Sequence, residues 1–262
     1  EGFSNMYRWT MTTPPLELVA GWGQVQQFTN AARTDIDEVL WRRDIRAAST
    51  QVAKSSIARG GADSAALEGA DLVGVEQSPM GKVLAASLAA TVEAPKFNDI
   101  WMRAPLQVIT GLHTLVAKEF LPREQLARPR LDQSADDPLH IGGLPEHTEV
   151  PSALMRLSQQ CSATKIPAVI EAGYVHGEIM RLRPFTWGSG LVARAAVRTV
   201  LSARSLDPSN FTIPENGMFE STRTAYVNAI RDFATGTQEG IESYFAWFSA
   251  SLGLGARAVV LE

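Results

Sequence analysis

Apolar positions recur every three to four residues along most of the chain, the spacing of one helix face, while the alternation of a half-buried strand is scarce. Over residues 31–58, Ile36, Val39, Leu40, Ile45, Val52 and Ile57 share a stripe that predicts one long helix, ended by Gly60-Gly61. Residues 62–68, held between those glycines and Gly69, read as a short helix that Asp63 or Ser64 caps. The same spacing predicts helices over residues 80–92, 105–119, 151–161, 167–181, 189–203, 216–233 and 238–252. Several begin at proline, whose fixed φ suits a first turn. Between Leu121 and Val150 the pattern breaks into a polar, Pro- and Gly-rich stretch with Leu139, Ile141 and Leu144 around Gly142-Gly143, which predicts a short β-hairpin. Pattern alone therefore predicts one all-α domain with a small β-hairpin.

Composition narrows the class. A chain of 262 residues with 45% hydrophobic positions buries a real core. Its 24 basic and 28 acidic residues leave a net charge of -4, which argues against nucleic acid and anionic membrane as general partners. The single Cys161 excludes a disulfide framework and fits a reducing, cytoplasmic setting. No uncharged apolar run reaches the roughly 18 residues of a membrane span, and residues 1–6 lack the features of a signal peptide.

The stretch richest in chemistry is Leu182-Arg183-Pro184-Phe185-Thr186-Trp187-Gly188-Ser189-Gly190-Leu191-Val192-Ala193-Arg194. One helix ends near Arg181, a loop carries Gly188-Ser189-Gly190, and a second helix starts there. Its free N–H groups make an anion site if the loop is open; if not, the glycines simply let two helices pack closely.

At these residues the sequence resembles the Fic family, whose motif reads His-Pro-Phe-x-Asp/Glu-Gly-Asn-Gly/Lys-Arg-x-x-Arg. Pro184, Phe185, Gly188, Gly190 and Arg194 match in register, whereas Arg183, Trp187, Ser189 and Leu191 stand at the His, acidic, Asn and first Arg positions. His176, seven residues before Arg183, Pro151-Ser152-Ala153-Leu154-Met155, and the segments around Tyr226 and Tyr244 fall in the family's order. Upstream, Ser64-Ala65-Ala66-Leu67-Glu68-Gly69 resembles the family's inhibitory helix, in which the Glu meets the motif's last Arg, here Arg194. Glu68 also reads as an exposed helix-end carboxylate.

The resemblance implies a Fic-like helical bundle with a β-hairpin flap at Leu139, His140 and Ile141. Residues 1–95 form an N-terminal helical region that carries the inhibitory-like helix (62–69), packed on a core of 96–262. It also implies AMP transfer from ATP to hydroxyl side chains, but Arg183 cannot accept a proton as the motif His does, and Trp187 offers no oxygen to a metal. The expectation is a catalytically inactive homologue with a binding or regulatory role; the alternative is a nucleotidyltransferase with altered groups.

Gly188, Ser189, Gly190 and Arg194 are the expected phosphate- or nucleotide-binding residues, and Ser64, Glu68 and Gly69 the inhibitory ones. ATP stays open as a ligand, and the substitutions count against Mg²⁺. Arg183 either binds phosphate or fills the site by pairing with a carboxylate such as Glu68. His176 is the obvious substitute base, although a lone His on an apolar face also reads as a core residue. His140 and His147 lack a third metal ligand. A protein partner is expected at the flap, and a homodimer stays open.

Overall fold

A computed structural model describes residue 9 and residues 12–69 and 79–261. Thirteen α-helices occur among them: α1 (Leu16–Ala20), α2 (Gly23–Trp41), α3 (Arg43–Ala47), α4 (Ser49–Leu67), α5 (Pro79–Glu93), α6 (Asn98–Trp101), α7 (Pro105–Ala117), α8 (Val150–Cys161), α9 (Ala168–Leu182), α10 (Ser189–Ala203), α11 (Pro214–Glu220), α12 (Arg223–Ala234) and α13 (Gln238–Arg257). The antiparallel pair α9 and α10 is buried on almost every side, as helices at the centre of a bundle must be. Around it pack α7, α12 and α13, with α2 laid along α13 and α4 against α5 and α11. Tyr226, Phe233, Tyr244, Phe245 and Phe248 fill the space between α9, α12 and α13.

The long helix expected over residues 31–58 is interrupted at Arg42 and Ala48. The chain turns there because α2 follows α13 whereas α4 must reach α5 and α11, and extended Arg42 anchors the turn on Asp44 with Nη2 2.6 Å from Oδ2. Conversely, Gly60-Gly61 ends nothing: α4 runs through both to Leu67. Tertiary packing overrides their low helix propensity. Glu215 and Arg198 would stand 2.5 and 2.7 Å from a Cβ at Gly60, and Leu88 crowds Gly61. The helix expected over 216–233 divides at Thr222, whose φ of 72° breaks one helix while its hydroxyl caps the next by accepting from the Ala225 N–H at 3.3 Å.

The β-hairpin is the main correction. No strand occurs among the described residues, and Leu139, His140 and Ile141 lie in an irregular connection with short 3₁₀ turns at Arg123–Gln125 and His147–Glu149. The backbone groups a ladder needs are spent elsewhere. The Asp137 carboxylate accepts from the Ile141 and Gly142 N–H groups at 2.9 Å each, which curls the chain back on itself. Four arginines take the carbonyls: Arg223 binds Pro138, Arg231 binds His140 and Ile141, Arg183 binds Gly142 and Gly143, and Arg130 binds Pro145 at 2.5 Å. Leu139 and Ile141 point into the core and His140 is exposed.

Candidate functional site

α9 delivers Arg183 to the end of a buried helix, where the backbone turns left-handed at φ 37°. Residues 184–188 cross to α10, and Gly188 opens that helix at φ 82°, a conformation that favours glycine. Ser189 turns its hydroxyl back on the loop, accepting from the Phe185 N–H at 3.2 Å and donating to the Phe185 carbonyl at 3.4 Å. Beneath it, the buried His113 ring stacks on Phe185 at 3.8 Å and accepts through Nδ1 from the Ala127 N–H at 2.9 Å. Burial pushes this imidazole down to about 4, so it stays neutral as a brace for the loop.

Arg194 is fully buried in α10 and gathers the segments around the loop. Its Nε donates to Ser64 Oγ at 2.7 Å, Nη2 to the Ser64 carbonyl at 3.1 Å and to the Glu68 carboxylate, and Nη1 to Tyr226 Oη at 3.3 Å. Ser64, Glu68 and Arg194 are thus brought together from positions 130 and 126 residues apart in the chain. Burial disfavours the guanidinium charge, yet Tyr226 and the Glu68 carboxylate hold it above its ordinary range. A Cβ at Gly190 would collide with that carboxylate, so the glycine admits the ion pair. Gly69, exposed, follows the end of α4.

A second carboxylate reaches the loop from the irregular connection. Asp136 accepts from the Gly188 N–H at 3.0 Å, and its own N–H donates to the Thr186 carbonyl at 2.9 Å. Burial and the nearby Glu68 carboxylate push Asp136 up to about 7, against the pull of the Gly188 N–H and the Arg183 charge.

Arg183 has a carboxylate partner, but it is Asp137 at 3.0 Å rather than Glu68. The guanidinium also donates to the Gly142 and Gly143 carbonyls and lies 5.8 Å over the Trp9 ring. Trp187 stacks on Phe120 at 3.9 Å. An Mg²⁺ ion does not fit these residues: indole supplies no oxygen, Asp136 serves the loop N–H and Asp137 serves Arg183. Among the described residues no group of three His, Cys, Asp or Glu side chains is placed to hold a metal.

His176 is buried below Arg194, with Nε2 2.7 Å from Tyr226 Oη and Nδ1 2.8 Å from Tyr244 Oη. Tyr244 donates to the Gly173 carbonyl at 2.8 Å, so it must accept from Nδ1–H. Tyr226 then donates to Nε2 and accepts from Arg194. Burial and the Arg194 charge push His176 well below its ordinary value. Every proton of this chain is committed inside the core, and none faces the loop.

The space left between Glu68, Asp136, Arg183, Ser189 and Gly190 is about 10 Å³, roughly one water. Asp136, Asp137 and the role of Tyr226 escape sequence reasoning. The acid pair lies some fifty residues from the loop it serves, inside a stretch without periodicity, and no local signal ties the two.

No protein-family model and no curated protein matches the sequence. Solved structures do match in fold. A Fic family protein from Desulfovibrio desulfuricans G20 superposes with a TM-score of 0.65 at 14% identity, covering 90% of this chain and 74% of that one. Residues 134–508 of Fic-1 from C. elegans superpose with a TM-score of 0.67 at 16% identity, covering 89% and 72%. The chain has a Fic-like fold.

Proposed function

We propose that this chain is a Fic-like protein silent in AMP transfer, acting as a binding or regulatory module. One observation carries the reading: where the start of α10 and Arg194 would receive an anionic ligand, two of the protein's own carboxylates sit instead, Asp136 on the Gly188 N–H and Glu68 on Arg194. An anion entering there must displace both, at positions where a helix N-terminus and a guanidinium already have their charge partners. The residues that would do chemistry are committed as well. Arg183 cannot take a proton, and His176 and His113 are buried in the core.

Incubation with labelled ATP and Mg²⁺ or Mn²⁺ tests this reading. Wild type, Glu68→Gly and Glu68→Gly/Asp136→Ala should all incorporate no AMP, into themselves or into a mixed protein substrate. Incorporation by Glu68→Gly overturns it. A second reading, transfer with altered groups, is favoured by Asp136 alone, a carboxyl at the loop with a pKa of about 7, which suits a general base. Incorporation by Glu68→Gly that Asp136→Asn abolishes would establish that reading.

A protein partner at residues 139–141 would meet exposed side chains such as His140. It would not add a strand, because the carbonyls it would pair with are held by arginines.

A further inference from the structure

Residues 12–15 cross a groove between α8 and α9, ahead of α1, and polar side chains on both helices bind them. We propose that this groove is a peptide-binding site, plugged in cis by residues 12–15, that takes an extended acidic-Thr-Pro segment of a partner protein in their place. The inference does not depend on whether the chain transfers AMP.

The groove reads its occupant residue by residue. Tyr174, Glu178 and Arg181 recur on one face of α9, and Arg156 and Gln160 on one face of α8. Glu178 Oε1 accepts from Thr13 Oγ1 at 2.5 Å, Tyr174 Oη donates to the Pro14 carbonyl at 2.8 Å, and Gln160 Oε1 accepts from the Leu16 N–H at 2.5 Å. Pro15, at φ -56° and ψ 145°, has the polyproline II conformation, and neither proline brings an N–H that the groove would leave unpaired. The floor is fixed by the helices themselves: Tyr174 and Glu178 are buried, and Arg181 Nη2 stands 3.0 Å from Glu178 Oε2. A hydroxyl and a proline carbonyl therefore meet partners that are already in place, and a proline-stiffened segment loses little freedom in reaching them.

The plug leaves this groove incompletely filled and one of its charges unanswered. A space of about 130 Å³ remains beside residues 12, 13 and 15. Arg156 lines it, is exposed, and donates to Ser152 Oγ at 3.3 Å, with no carboxylate partner among the described residues. The plug, Thr-Thr-Pro-Pro, brings that guanidinium no charge. An acidic residue immediately before the Thr of an incoming segment would enter the space and pair with Arg156, which is the complementarity that favours a partner's segment over the chain's own.

The test is an NMR titration of the full chain with the peptide acetyl-Glu-Thr-Pro-Pro-amide. Saturable shifts are expected in α8, α9 and residues 12–16. Because the plug competes, Thr13→Ala, which removes its bond to Glu178 and leaves the groove intact, should bind at least about fivefold more tightly than wild type, whereas Thr13→Ser should match wild type. A peptide with Val in place of Thr should bind at least about tenfold more weakly, since Glu178 then loses its donor. Arg156→Ala, and a peptide with Gln in place of Glu, should each cost about two- to fivefold. The Thr and Val peptides compared on wild type give the same discrimination if Thr13→Ala does not fold. Absence of saturable shifts up to about 5 mM peptide overturns the proposal. So do Thr and Val peptides that bind within about twofold of each other, equal affinity of wild type and folded Thr13→Ala, or binding that neither Arg156→Ala nor the Gln peptide weakens.

Discussion

The ion pair between Glu68 and Arg194 makes an unequal prediction for its two halves. Both side chains are nearly excluded from solvent, at 5% and 0% exposure. Removing one partner of such a pair costs about 3–5 kcal/mol when the other charge is left with nothing. Arg194→Ala does that: Glu68 loses its cation and faces Asp136, while Ser64 and Tyr226 each lose a donor. Its expected cost is the full ~3–5 kcal/mol. Glu68→Ala does less. The guanidinium keeps Ser64 Oγ, the Ser64 carbonyl and Tyr226 Oη as acceptors, and Asp136 is relieved of a like charge, so about 1–2 kcal/mol is expected. Urea unfolding of wild type, both single variants and the double variant, followed by two spectroscopic probes, measures all four corners of the cycle. The coupling should exceed about 1 kcal/mol, and Arg194→Ala should be the worse single change. Additivity within about 0.5 kcal/mol, or equal costs for the two single variants, would refute the assignment of Glu68 as the buried anion of Arg194.

Asp136 predicts a pH dependence. Its folded pKa, raised to about 7, lies above its unfolded value, so its contribution is fully present below about pH 4 and is lost as pH rises to about 7. Asp136→Asn keeps an acceptor for the Gly188 N–H and should raise stability at pH 8 by about 1–2 kcal/mol while changing little at pH 4; an equal shift at both values refutes the raised pKa. Tyr226→Phe removes the hydroxyl that donates to His176 Nε2 and should cost about 1–3 kcal/mol, and nitrogen NMR of wild type should show His176 as the neutral Nδ1–H tautomer down to pH 5; a protonated ring there refutes the chain of hydrogen bonds. Gly60→Ala improves helix propensity, yet its Cβ would press on the Arg198–Glu215 pair, whose Nη2 and Oε2 are 2.7 Å apart; a net loss of about 2–4 kcal/mol is expected, and a gain in thermal stability would show that α4 can move away.

Wherever a helix was decided by its own residues, the sequence determined it. The segments 189–203 and 238–252 show this: α10 has the bounds that apolar spacing gives, and α13 starts at Gln238 as expected, although it runs on to Arg257. The motif residues were legible for the same reason, since Pro184 to Arg194 are neighbours along the chain. What involves two distant segments was decided only in three dimensions. Gly60-Gly61 reads locally as a stop, but the space they leave for Arg198, Glu215 and Leu88 keeps α4 running. Gly142-Gly143 reads as a hairpin turn, but a ladder needs free carbonyls, and Arg183, Arg223 and Arg231 claim them from helices later in the chain. Asp136 carries no local mark of its role, because its partner is a backbone N–H more than fifty residues away. Local propensity is worth tenths of a kcal/mol per residue, whereas a buried guanidinium such as that of Arg130 or Arg183 costs several without its acceptors, so where the two disagree these buried arginines set the structure.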